Sequence, residues 1–166
     1  MTITPEILKQ LLPAAIKWAR DGEKFTMQHG RELDHVEESD ALLAGVQFSK
    51  KIKICFVPYI PRPVDGMLGY ANQTVGLVTD LTGGLTLNYG IFIRQDCAGN
   101  GALLFHEFVH ITQYERLGDF EGFLPQYLDE CVRFGYPNSP LECEAVEVTA
   151  KKKKCLTPRA NPDNAG

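Results

Sequence analysis

Several things are missing from this sequence, and each absence closes a class of function. No apolar run approaches the roughly 20 residues that a membrane-spanning helix needs. The N-terminus, Met1-Thr2-Ile3-Thr4-Pro5-Glu6, lacks the basic stretch and apolar core of a secretory signal. There is no Cys-x-x-Cys. The five cysteines (Cys55, Cys97, Cys131, Cys143 and Cys155) are scattered and odd in number, which reads as free thiols in a reducing compartment. Positive charge is not in surplus: 17 Lys and Arg against 21 Asp and Glu give a net charge of −4, a poor match for nucleic acid. The glycines around Ala98-Gly99-Asn100-Gly101 lack the Gly-Lys-Ser/Thr ending of a phosphate loop. No repeats occur. These absences predict a cytoplasmic protein with neither nucleic acid nor membrane as partner, although export by a route that needs no such signal stays open.

What is present suits one soluble domain. With 166 residues, 44% hydrophobic and 23% charged, the chain can bury a real core. That domain is expected over residues 1–150, with a disordered polar tail from Lys151 onward. Thr4-Pro5 reads as a helix start, with Pro13 kinking or restarting the helix and Arg20-Asp21-Gly22 closing it. His29 and His35 lie in a polar stretch and read as solvated. A short helix is expected from Glu38 to Phe48 and a half-buried strand from Lys51 to Val57. Residues 74–80 form a second strand candidate. Leu85 to Arg94 is the clearest strand, with Leu85, Leu87, Tyr89, Ile91 and Ile93 alternating onto one face. Residues 74–94 together read as a β-hairpin.

A helix is then predicted from about Asn100 to Leu117, stopped by Gly118. A second runs from Gly122 to Phe134, with Pro125 tolerable only in its first turn; Tyr114 in the first helix and Tyr127 in the second read as packing residues. Tyr136-Pro137-Asn138-Ser139-Pro140 is a loop, and Leu141 to about Ala150 a third helix. The fold class is α+β, with a small, mostly antiparallel sheet.

The chemistry sits in Leu103-Leu104-Phe105-His106-Glu107-Phe108-Val109-His110-Ile111. Its His-Glu-x-x-His puts His106 and His110 one helical turn apart on one face, where both imidazoles can reach one metal ion. Glu107 sits where a general base for a metal-activated water would be wanted. The surrounding residues are apolar, so the helix must be central to the fold, and polar groups buried there need partners. A catalytic zinc site wants a third protein ligand and an open position. That ligand should come from Leu141-Glu142-Cys143-Glu144-Ala145. From the residues alone Glu142 and Glu144 both qualify, because Ser139-Pro140-Leu141-Glu142 also spells a capping box that would occupy Glu142.

These motifs resemble the gluzincin branch of the zincin metallopeptidases, where His-Glu-x-x-His is followed some tens of residues later by a helical Glu-x-x-Ala. Glu142-Cys143-Glu144-Ala145 matches the second motif, and the likeness covers about residues 85–146. The resemblance implies a zincin-like fold and about one Zn²⁺ per chain on His106, His110 and Glu142. It further implies Glu107 as the base that activates water. An edge strand beside the active helix would hold a peptide or protein substrate, and Leu85 to Arg94 is the expected ledge. Tyr136, in the loop before the third helix, is the expected oxyanion donor. The sequence departs from the pattern at Val146, where many gluzincins carry the acidic residue that holds the first histidine. That support must come from Glu144, Glu147 or a backbone carbonyl.

Two rivals follow from the same residues. Peptide deformylase shares His-Glu-x-x-His, but takes its third ligand from an upstream Glu-Gly-Cys-Leu that Gln95-Asp96-Cys97-Ala98 does not match. A non-catalytic zinc-binding or protein-binding module would need no base at Glu107. Substrate, specificity and oligomeric state are not encoded in any of these motifs.

Overall fold

The computed structural model describes residues 2–152. Over these residues the fold is α+β, with six α-helices and a mixed sheet of four strands in the order β1-β2-β4-β3. The expected tail lies outside the described residues from position 153. Lys151 and Lys152 belong to the last helix.

Helix α1 (Pro5–His29) is one unbroken helix of 25 residues, capped by the Thr4 hydroxyl accepting from Ile7 N–H. The expected break at Pro13 does not occur: Pro13 and Lys9 are both exposed, so the Lys9 carbonyl that loses its partner faces water. Nor does Gly22 end the helix. A Cβ there would lie 2.4 Å from Leu87 Cδ1, so this glycine lets the helix press onto the sheet. Strand β1 (Arg31–Glu32) follows, then α2 (His35–Ala44), which begins earlier than expected. Asp34 and Glu37 form a reciprocal capping box there.

Strand β2 (Lys53–Val57) pairs antiparallel with β1 and parallel with β4. The strand expected at 74–80 is absent. Helix α3 (Gly66–Val75) occupies its first part and ends at Gly76, with φ 73°. The β-forming residues Leu77 and Val78 gain no strand partner, because the Asn72 amide takes both backbone groups of Val78 at 3.0 Å. The hairpin is shorter and later: β3 (Gly84–Leu87) and β4 (Gly90–Arg94) pair antiparallel around a tight turn, with Asn88 at φ 55°. The turn changes which residues share a face. Leu87 and Phe92 meet α1, whereas Ile91 and Ile93 meet the other side. Thr86 also turns to that other side, where its hydroxyl bonds Glu107. Strand β4 is interior and buried from Gly90 to Ile93, so of the two hairpin strands β3 is the one at a sheet edge.

Helix α4 (Gly101–Leu117) has the Asn100 cap and Gly118 stop that the sequence marks. It is enclosed on three sides. Phe108 and Ile111 pack with Ile52, Ile54, Ile91 and Ile93. Phe105 and Val109 pack on Ala145, and Tyr114 joins Phe120 and Phe123. Each large side chain so buried contributes about 1.5–3 kcal/mol, which fixes the helix before any ligand is considered. Helix α5 (Asp119–Phe134) starts directly after Gly118 and carries Pro125 inside rather than in its first turn. The Glu121 carbonyl it frees belongs to an exposed residue. A 3-10 turn (Tyr136–Asn138) leads to α6 (Pro140–Lys152), which packs against α4. Among the described residues, no helix is long and apolar enough to cross a membrane.

Candidate metal centre

Helices α4 and α6 bring His106, His110 and Glu142 together, with one ligand atom from each lying within 4.8 Å of the others. The two Nε2 atoms are 3.1 Å apart. Glu142 Oε2 is 3.1 Å from His106 Nε2, and Oε1 is 3.2 Å from His110 Nε2. His110 and Glu142 are buried; His106 is partly open to solvent. Two imidazole nitrogens and one carboxylate converging this closely form a group that can hold a metal ion.

Glu142 is free to face the histidines because the capping box does not form. The first turn of α6 is capped from outside, where Leu141 N–H donates to Glu130 Oε2 of α5 at 2.9 Å. Glu144 points elsewhere and makes a bidentate pair with Arg116 at 2.9 Å. Thus the expected Glu144 support for a histidine is not present, and exposed Glu147 does not supply it either.

The support found is for the second histidine, not the first, and it lies on α4 itself. Gln113 Oε1 lies 2.8 Å from His110 Nδ1, and Gln113 Nε2 donates to the Leu141 carbonyl at 2.8 Å. That second bond orients the amide with its oxygen toward the imidazole. His110 Nδ1 therefore carries a proton, and Nε2 is left as the ligand atom. Gln113 is completely buried. Its signal was in the sequence: three residues after His110, it falls on the same helical face.

Tyr127, expected only to pack, does two jobs. Its ring stacks on Phe123 and stands edge-on to His110, and its hydroxyl donates to Glu142 Oε1 at 2.6 Å. Nothing local in the sequence links Tyr127 to Glu142; the pairing needs the α5–α6 reversal. Thr86 of β3 was likewise missed as a site residue. Its hydroxyl donates to Glu107 Oε2 at 2.5 Å, and Glu107 is buried. Gly84 makes room for the other oxygen, since a Cβ there would lie 2.6 Å from Glu107 Oε1. Tyr136 lines the same cavity as His106, Glu107 and Glu142.

The charges follow from this geometry. Burial alone would raise the Glu142 pKa, but the bonds to His106 and His110 outweigh it and hold the carboxyl well below its usual range. Burial would lower His110, yet Glu142 prevails and lifts it to about 9. Burial, then the Glu142 and Glu107 charges, push Tyr136 upward, so its phenol stays protonated and able to donate. The four described cysteines are free thiols, and burial lifts Cys131 to about 12. Cys97 lies in a turn before α4 and His29 and His35 lie on α1 and α2; none joins the group.

The cavity beneath the group has about 140 Å³ of free volume and mostly apolar walls from α1, α3 and α5. A second, open groove crosses the mouth past Gly84, His106, Tyr136 and Val146. No family model, no curated protein and no solved structure matches this chain.

Proposed function

We propose that this protein is a zinc metallopeptidase of gluzincin-like design. The observation that carries the reading is the convergence of His106, His110 and Glu142 beside a buried Glu107 at the junction of a cavity and a groove. Two nitrogens and one carboxylate form a known catalytic zinc set. A tetrahedral ion bonded at about 2.0–2.1 Å holds its ligand atoms roughly 3.3 Å apart. The 3.1–3.2 Å separations here suit that geometry.

Zinc, when bound, supplies Lewis acidity at a carbonyl oxygen and lowers the pKa of a water ligand. The protein's own groups do the rest. Glu107 takes the proton from the attacking water and delivers it to the departing amine. Thr86 holds one carboxylate oxygen of Glu107, which keeps the base aimed while substrate enters. Tyr136 donates to the oxyanion. Gln113 fixes the His110 tautomer, and Tyr127 steadies Glu142. A peptide lies in the open groove against the outer edge of β3, the part of the expected ledge that is free of other strands.

The test is Glu107→Gln. It should retain metal while hydrolysis of a general peptide or casein substrate falls about 10²–10⁴-fold. Wild type and variant behaving alike across a broad peptide library would favour a non-catalytic binding module.

A further inference from the structure

We propose that the apolar part of the cavity binds an unbranched aliphatic chain of about five to seven carbons, carried on the compound whose carbonyl end meets the metal centre. The proposal rests on the metallopeptidase reading only for the choice of which end faces the ligands.

The first argument is that the space exists. Protein interiors are packed to crystal density, and voids larger than a water are few and destabilising. A space of about 140 Å³ with mostly apolar walls is large enough to take a small apolar group. Its polar groups gather where His106, Glu107, His110 and Glu142 lie. On the α3 wall the polar side chain is Asn72, and its amide is already committed to both backbone groups of Val78. The rest of the cavity offers an incoming group almost nothing but hydrocarbon.

The second argument is shape. The lining runs from Leu8 to Trp18 on α1, from Leu68 to Val75 on α3, and from Leu124 to Val132 on α5. At 1.5 Å per residue these walls extend about 15, 10 and 12 Å, or two to three helical turns each. One amino-acid side chain reaches about one turn. The total volume is close to the roughly 150 Å³ that accommodates one benzene. Drawn out over two turns or more, it leaves room for a single file of carbons rather than a ring. An acyl chain meets both requirements, with a linear apolar body and a carbonyl at one end.

Trp18, the single tryptophan, lines this cavity and reports its occupancy directly. Straight-chain fatty acids from butanoate to dodecanoate, below their micellar concentrations, are titrated into the full-length protein and read by tryptophan fluorescence and calorimetry. One series uses protein stripped of metal and the other zinc-loaded protein. Affinity should rise about fourfold per methylene and level off near about six carbons. Straight chains should bind more tightly than 4-methylpentanoate or 3-phenylpropanoate of equal carbon number. Ala71→Leu should move the levelling point about two carbons shorter, and Leu11→Ala should move it longer. A gain that stops near about four carbons, or a preference for branched or aromatic acids, would overturn the proposal and indicate a pocket for one amino-acid side chain. So would a levelling point unmoved in both folded variants. The metal-free series needs no ion, so failure of the zinc reading would leave its outcome intact, and the reverse also holds.

Discussion

Helices α4 and α3 both line the cavity, yet they are held in opposite ways. Helix α4 is enclosed by the sheet, α5 and α6, with Phe105, Phe108, Val109 and Ile111 at or near zero exposure. Side-chain bonds tie it and its neighbours to α6: Gln113 to the Leu141 carbonyl, Arg116 to Glu144, Tyr127 to Glu142. Helix α3 buries only Gly69 and Asn72, leaves Met67 and Tyr70 exposed, and has positive-φ glycines at both ends. The two histidines, which would have to meet a small ion within tenths of an ångström, sit on the heavily braced element. The apolar wall, which needs only to exclude water, sits on the lightly braced one.

The largest effect that would sharpen this contrast is at Gln113. Gln113→Ala should weaken metal binding about 10–100-fold, because His110 loses the acceptor that fixes its tautomer. Gln113→Glu should recover most of that loss, read by competition with a chromogenic chelator. An unchanged affinity in Gln113→Ala would mean that packing alone positions the histidine.

The pH dependence of the metal-free protein comes next. Glu142 is depressed below its ordinary 4.5, so its stabilisation is present above pH 4.5 and is lost as the pH falls. His110 is raised from 6.5 to about 9, so its contribution is complete below pH 6.5 and fades as the pH rises through 9. Urea titrations should therefore place maximal stability of the metal-free protein between about pH 4.5 and 6.5. Zinc loading, which requires neutral His110, should remove the loss on the alkaline side. A metal-free protein equally stable at pH 6 and pH 9 would contradict the His110–Glu142 pairing.

A smaller effect is expected on the other side of the comparison. Asn72→Ala leaves the Val78 N–H and carbonyl without their partner and should cost about 1–3 kcal/mol. Metal affinity should not move. If it did, α3 would be coupled to the centre and the contrast between the two helices would fail.

The sequence made the metal group readable because its parts are local. His106, Glu107, His110 and even Gln113 lie on one helix, where spacing alone assigns a face. Glu142 required a likeness between motifs, since the spacing could not separate it from Glu144. Thr86 and Tyr127 reach the site from β3 and α5 across long sequence distances, and their residue types are ordinary for a strand and a packed helix. The errors in the fold have the same origin. Gly22 and Pro13 look like helix breakers, yet a close approach by Leu87 explains one and solvent exposure of the freed carbonyl accommodates the other. Residues 77–78 look like a strand until Asn72 takes their hydrogen bonds.

The central claim is that His106, His110 and Glu142 together hold zinc, and metal content after purification and zinc re-addition measures it most directly. Wild type and Glu107→Gln should each carry about one zinc per chain, and His110→Ala and Glu142→Ala almost none while remaining folded. Wild-type protein that takes up no zinc when zinc is abundant, or variants that keep the same content as wild type, would contradict it.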